Sequence, residues 1–590
     1  MATHLSVGRI NVSKLRESYR SRLKRCLECC EGTKAIVWDE SLMGPFDLIA
    51  ENTLLKDCEV IIMWSLRAPL PSGPAVRNII FFVRPNISLM QTIARCILGN
   101  DTSNPFEEVS YHLFFVPRKN ELCIRKLEEL RALESFTNVG DFPLEMLPLD
   151  YDLLSLDYSS CFADCFINND YKSLHYVAKS LMTLQELYGT IPNVYGKGAS
   201  AGHVWDILKR MTREYNISDS GKSQIDNLLL IDRSVDVLSP LLNQLTYEGL
   251  IDEILSINNT IVRLPSGGDK GKVILNSGDK VFSDIRDKNF HSVGAYLSKQ
   301  AKLLTSQSNE RHEAKTVEDM KNFVMKLPHI QAVKSSLSLH TNIAHIIHQE
   351  VHSHDFIECL DVQQQFYMGS HSDKPHEIIE KYIAKRVSLN KVLRLICIQS
   401  YCSNGLKPKV FEQYKRDILL AYGFENIITL QNLERAGLIK VHTSNLKTYS
   451  TLRKTLKLTV EDVNIQNPKD ISYTYSGYAP LTVRLAQFLH RPGWRSIEDV
   501  LSHIPGPTIQ EVQVANNPSS FSSSQPKCTL VFFIGGVTFA EIAALRFLSQ
   551  LDDAPAEYIV ASTSIINGDN WMKSLCHTLT PVPRSLNPFD

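Results

Sequence analysis

The sequence predicts an α/β protein built from two parallel-sheet units, the second interrupted by a large helical insertion. Three observations carry this prediction. Short, continuously apolar runs ending in charge or proline alternate with helical patterns through the first quarter of the chain. A second set of such runs is split between 226–234 and the stretch from 528 onward. Between these pieces, residues from about 240 to 480 read almost entirely as helix.

In the first unit the strands are 34–40 (KAIVWDE), 77–85 (RNIIFFVRP) and 111–119 (YHLFFVPRK), with a helix over 88–98. Apolar strands separated by helices imply a parallel sheet covered on both faces. In the second unit the strands are 226–234 (DNLLLIDRS), 528–536 (CTLVFFIGG) and 556–564 (AEYIVASTS). The last two flank a helix starting near Thr538, a β-α-β unit. The helical insertion divides near Gly369-Ser370, where MGSHSDKPHE has linker composition, and 514–527 is a Ser-, Asn- and Pro-rich surface loop. There is no internal repeat of solenoid type.

The chain has 590 residues, long enough to bury a large core without disulfide or metal staples. Lys and Arg total 63 against 64 Asp and Glu, a net charge of −1 that supplies no field for gripping nucleic acid or an anionic membrane. The N-terminus lacks an apolar h-region, which excludes a secretory signal. The most apolar stretch, 529–548, is broken by Gly535-Gly536 and carries Glu541 and Arg546, so it is not a bilayer span. The 13 cysteines are then reduced thiols. Cys26 and Cys29 form a CxxC with Cys30 beside it, but no second pair follows at zinc-site spacing, so the expectation is helix-borne thiols.

Several patterns invite a chemical reading. Gly198-Ala-Ser200-Ala-Gly202 matches the nucleophile elbow of α/β hydrolases, which makes an enzyme using Ser200 the alternative function. That chemistry needs a strand immediately before the serine, and IPNVYGK is broken by proline and glycine, so none is expected there. The glycine loops at 195–200 and 266–272 miss the phosphate-cradle pattern, which weakens a nucleotide-binding regulator. Gly535-Gly536 lacks the third glycine of a dinucleotide site and suggests close packing of helix on strand. His340, His345, His348, His352 and His354 cluster without an HExxH order, giving a solvated face. Asp232, Arg233 and Asp236 stand at the C-terminal end of a strand, where α/β folds place ligands. With no accompanying nucleophile or base, they suggest a network locking the junction of sheet and insertion.

One helical pattern contains a breaker. Val317, Met320, Phe323, Val324 and Leu327 form an apolar stripe that resumes at Ile330, Val333, Leu337, Ala344, Ile347 and Val351, yet Pro328 lies between. Mid-helix proline deletes a hydrogen bond and costs ~3 kcal/mol. A bent helix that straightens on a partner and a plain helix–turn–helix corner both fit.

The segment LLLIDRSVDVLSPLLNQLTYEGLIDE (228–253) resembles the signature of the Sec-one/Munc-eighteen (SM) family. The proline-interrupted stretch KLPHIQAVKSSLSLHTNIAHI (326–346) is similar to the helical hairpin of that family's domain 3a. VWDESLMGPF (37–46), IRDKNF (285–290), DISYTYSGYAPLTVRLAQ (470–487) and IGGVTFAEIAALRFLSQ (534–550) add to the match, which is strongest for the vacuolar-sorting, class C branch. The resemblance implies an arch of three domains. Domain 1 spans 1–140, domain 2 spans 141–238 plus 480–590, domain 3a spans 239–368 and domain 3b spans 369–479.

The resemblance also implies a protein that is not an enzyme and has no cofactor, catalytic residue or metal ligand. Family members hold SNARE motifs in the cleft between domains 1 and 3a, and the class C branch acts within the HOPS and CORVET tethering complexes. The implied partners are syntaxin-like and R-type SNAREs, the type-sixteen vacuolar sorting subunit and other subunits of those complexes. Membrane association would be peripheral, through partners, from the cytoplasm onto late endosomes and lysosomes. The implied outcome is endosome–lysosome and autophagosome–lysosome fusion. Carried over by position, Leu327, Pro328, Gln331 and Lys334 are the SNARE-binding candidates. In 410–439 two short helices end at Gly423 and Gly437, and there Lys415, Phe424 and Ile427 are the candidates for the tethering-subunit contact.

Overall fold

Strongly β-favouring segments of the first 156 residues pair into a five-stranded sheet. Its strands are β1 (Lys34–Trp38), β2 (Val60–Ser65), β3 (Asn78–Val83), β4 (Ser110–Phe115) and β5 (Phe136–Asp141). They lie in the order β2-β1-β3-β4-β5, every pair parallel. This computed structural model describes residues 3–577 except 51, 67–75, 101–108, 216–222, 266–270, 314–316, 370–373, 443–447 and 514–525.

β1 and β3 bury every side chain, as central parallel strands covered on both faces must. Val37, Phe81, Leu113 and Phe115 pack with Ile93 and Ile97 of the helix Ile87–Asn100. The edge strands β2 and β5 were not anticipated. β5 reads FTNVGD and buries no side chain fully, so it carries no apolar run to recognise. A short antiparallel hairpin, β6 (Leu147–Asp150) and β7 (Leu153–Ser155), follows.

By contacts the chain divides into two units: Met1–Leu156 with Asn258–Ile261, and the remainder.

The second unit contains β8 (Asn193–Lys197), β9 (Asn227–Asp232), β12 (Thr508–Val512), β13 (Lys527–Ile534) and β14 (Ala556–Ser562); between β9 and β12 in sequence come the three-residue strands β10 (Ile261–Arg263), whose first residue falls in the first unit, and β11 (Lys272–Ile274). β8, β9, β13 and β14 are neighbours in that order and parallel, while β12 pairs antiparallel to β8. β13 and β14 flank the helix Phe539–Ser549, whose N-cap Thr538 forms a capping box with Glu541.

The segment between β9 and β12 is helical apart from β10 and β11. Its longest members are Phe290–Glu313 and Val317–Val351. Tyr247, Leu250, Ile251, Phe282, Ile285, Leu337, Ile343 and Ile347 form one core beneath them. At the expected linker, the helix His354–Met368 stops on Gly369 at φ +72°. The loop expected at 514–527 falls almost wholly outside the described residues. Among the described residues, no helix is long and apolar enough to cross a membrane.

Candidate protein-binding site

The corner at Pro328 does not form: one helix of 35 residues, Val317–Val351, passes through it. Proline has no N–H, so the carbonyl of residue 324 loses its helical donor while the helix continues. From 325 to 335 most side chains point to solvent, with Met325 71% and Leu327 37% exposed and Pro328, Gln331 and Lys334 likewise open. Leu327, Gln331 and Lys334 are spaced i, i+4, i+7 and share one face. Ile330 and Val333, on the stripe that continues into the core, are half-buried.

Below this segment the helix is clamped. Asp279 caps the helix Lys280–Ile285 by accepting from the Val281 and Phe282 amides at 2.9 and 3.2 Å. The same carboxylate accepts from the Ser336 hydroxyl at 2.6 Å and meets His340 Nε2 at 3.2 Å. His340 Nδ1 lies 3.0 Å from the Tyr247 hydroxyl, and the imidazole stacks on Phe282. Burial pulls the Asp279 carboxyl upward, but the hydrogen bonds from His340, Ser336 and the Phe282 amide outweigh it and hold it at about 2. His340 is therefore a buried structural residue, not part of a solvated histidine face. His348 and His352 do stack on each other at the surface, 3.8 Å between centroids. The result is a rooted rod with an exposed apolar, amide and ammonium face, suited to a partner helix rather than to bond-making chemistry.

A second exposed surface lies where the helix Pro408–Tyr422 gives way to Asn426–Arg435 through Gly423, at φ +108°. Helix-capping chemistry leads one to expect Phe424 to fold back on the preceding helix. It is instead 73% exposed. Ile427 is exposed with it, and Lys415 is half-buried. Leu420 and Ile428, which the sequence reading passed over, are also exposed. The signal for them was a cluster of large apolar residues, Leu420, Phe424, Ile427 and Ile428, gathered around the Gly423 break between two short helices.

Asp232, Arg233 and Asp236 come together, and the network they form is buried. Arg233 makes a bidentate pair with Glu541 at 2.9 and 3.0 Å and donates to the carbonyls of Asp236 and Gly536. Asp236 accepts from the Leu238 and Ser239 amides and from the Leu481 amide, so it ties β9 to the segment entering the helix Leu481–His490. Burial disfavours the Arg233 charge, but Glu541 and Asp236 outweigh it and push the guanidinium above its usual range. Glu541 was the missed member; TFAE, its capping box, was the available signal.

Gly535 and Gly536, at φ +101° and +113°, are where the backbone closes on this network. A Cβ on Gly535 would sit 2.8 Å from the Arg233 Cβ, and one on Gly536 would sit 2.7 Å from Ile566. Close packing, not anion binding, explains the pair.

A strand does precede Ser200: β8 leads through Gly198, at φ +109°, into the helix Ala199–Glu214. IPNVYGK forms that strand because β9 and β12 pair with it on both sides, and pairing overrides its weak local signal. The serine is nevertheless not poised as a nucleophile. It is buried, and its amide donates to Asp232 Oδ2 at 2.8 Å. A free general base within reach is what the chemistry requires, and the Asp232 carboxylate beside it is committed to the turn, Oδ2 accepting from the Ser200 amide and Oδ1 from the Ser234 amide at 3.0 Å.

The sequence matches the model of the Sec1 family over residues 34–574. The chain belongs to the Sec1 family. It is 50% identical to Vacuolar protein sorting-associated protein 33A of Rattus norvegicus, over 98% of this chain and 99% of the relative. Two solved structures share the fold. The SM protein Vps45 in complex with the Qa SNARE Tlg2 aligns with a TM-score of 0.59 at 17% identity, over 95% of this chain and 97% of the other. The Unc18–syntaxin 1 complex from Monosiga brevicollis aligns with a TM-score of 0.61 at 16% identity, over 95% and 99%. The family is not one of enzymes, which removes the hydrolase alternative together with its geometry.

Proposed function

We propose that this Sec1-family chain is a SNARE-binding protein of vacuolar sorting that templates or protects SNARE assembly within HOPS and CORVET. In that role it would promote endosome–lysosome and autophagosome–lysosome fusion. The observation that carries the reading is the continuous Val317–Val351 helix, whose face of Leu327, Gln331 and Lys334 is open while its base is clamped to Asp279. Unbound SNARE motifs are disordered, and each must be ordered before its apolar layers gain contacts. A rigid helical face that holds a motif in register lowers that nucleation cost. Pro328 belongs to the same surface through its exposed ring. The partners proposed are syntaxin-like and R-type SNARE motifs, reached by peripheral recruitment to late endosomes and lysosomes.

Capture of fluorescent SNARE motifs by the full chain tests this. Leu327→Asp and Lys334→Glu should each weaken capture about tenfold, the equivalent of 1.4 kcal/mol, without lowering the melting temperature, because both side chains are exposed. Undiminished capture by both variants would refute the assignment. The Lys415, Phe424 and Ile427 surface is proposed to hold the type-sixteen vacuolar sorting subunit. Its exposed aromatic anchor has the character of an interface hot spot, whose truncation costs about 2 kcal/mol or more. Phe424→Ala and Lys415→Asp should abolish co-purification with that subunit and leave thermal melting in place.

A further inference from the structure

The first unit brings together three side chains that the sequence keeps far apart. The helix Ser13–Glu28 ends with Cys29 as its C-cap, and Cys30 follows, four residues before β1. The two sulfurs are 3.4 Å apart. His112, near the start of β4, places a ring nitrogen so that all three potential ligand atoms lie within 4.8 Å of one another. Cys30 and His112 are buried, and Cys29 is exposed, so the cluster has one open side.

His112 supplies the second, independent observation. It is 4% exposed, its Nε2 lies 3.2 Å from Asn78 Oδ1, and its Nδ1 has no hydrogen-bond partner. Asn78 spends its amide hydrogens on the carbonyls of Glu31 and Thr33, so its oxygen is the acceptor and the His112 proton belongs on Nε2. The other nitrogen is then a bare lone pair in the interior. An outer-shell amide that fixes the tautomer of an imidazole is the arrangement found behind metal-ligating histidines. Asn138 Nδ2 lies 3.7 Å from the Cys29 sulfur, a second such contact. The C-terminal end of the Ser13–Glu28 helix carries a partial negative charge that favours a cation there.

We propose that Cys29, Cys30 and His112 form a site for a thiophilic d10 cation, Zn2+, held by two thiolates and one imidazole nitrogen. Zinc favours sulfur and nitrogen ligands and four-coordination, so three protein ligands leave the fourth position to water on the Cys29 side. Each thiol gives up its proton to solvent as its sulfur–zinc bond forms, and the two thiolate charges neutralise the ion. A search for a second cysteine pair along the chain misses this site because the third ligand is a strand histidine 82 positions beyond Cys30.

The test uses the reduced, chelator-treated full chain with Co2+ as the optical probe and Zn2+ as competitor. One equivalent of Co2+ should give a thiolate-to-cobalt charge-transfer band that Zn2+ abolishes, and Zn2+ should raise the melting temperature. Cys29→Ser, at an exposed position, should fold normally and lose the band. His112→Gln should lose it too, Asn78→Ala should weaken binding about 10–100-fold, and Cys96→Ser should leave it intact. X-ray absorption of the zinc form should show two sulfurs with nitrogen or oxygen completing the shell. Absence of the band in the wild-type chain, its persistence in Cys29→Ser, or a shell of four sulfurs would each overturn the proposal.

Discussion

Arg233 and Glu541 stand 308 positions apart, yet each is the other's main charge partner in a site without water access. Removing one member of such a pair leaves a buried charge uncompensated, which costs about 3–5 kcal/mol. Glu541→Gln should therefore lower the unfolding free energy by that amount in urea titrations. Replacing Arg233 as well would not restore the loss, because the buried Asp236 carboxylate would then be left without its cationic partner. Asp279 makes a pH-dependent contribution whose sign follows from its carboxyl, held at about 2 against the usual 3.8. The folded state binds that proton less tightly than the unfolded chain, so ionisation favours folding. The contribution, about 2 kcal/mol, is complete above pH 3.8 and fades as the pH falls toward 2. Asp279→Asn should remove it, giving a lower stability at neutral pH and a shallower acid slope. An unchanged acid slope would mean that the clamp on His340 and Ser336 contributes nothing.

At the scale of elements, Pro328 is tolerated inside a continuous helix because the segment below it is fixed by Leu337, His340, Ile343 and Ile347. Proline costs about 3 kcal/mol more than alanine in a helix interior, so Pro328→Ala should strengthen the helix rather than lengthen it. Slower amide exchange through 325–335 would show this, and unchanged exchange would contradict it. The central strands β1, β3, β4, β9, β13 and β14 were legible because burial on both faces demands unbroken apolar runs. β2, β5 and β8 were not: they lie at or next to an edge or carry Gly and Asn, and their strand character comes from pairing. The same limit hid Glu541 and His112, since proximity across a sheet leaves no mark in spacing. Leu327, Gln331 and Lys334 could be placed by position, but their openness depended on where the core stops, which a stripe that runs on through Ile330 does not disclose.

For the whole molecule, the role proposed for this Sec1-family chain is to hold other chains in shape on its rooted helical face. The central claim is that this face lowers the cost of ordering SNARE motifs before they zip. The most direct measurement mixes the full chain with one syntaxin-like and one R-type motif and follows their helix content and the rate of four-helix assembly when the remaining motifs are added. The account predicts a ternary complex with both motifs helical and faster assembly, with both effects lost in Leu327→Asp. Motifs that stay disordered on the chain, or assembly that proceeds at the same rate with and without it, would contradict the account.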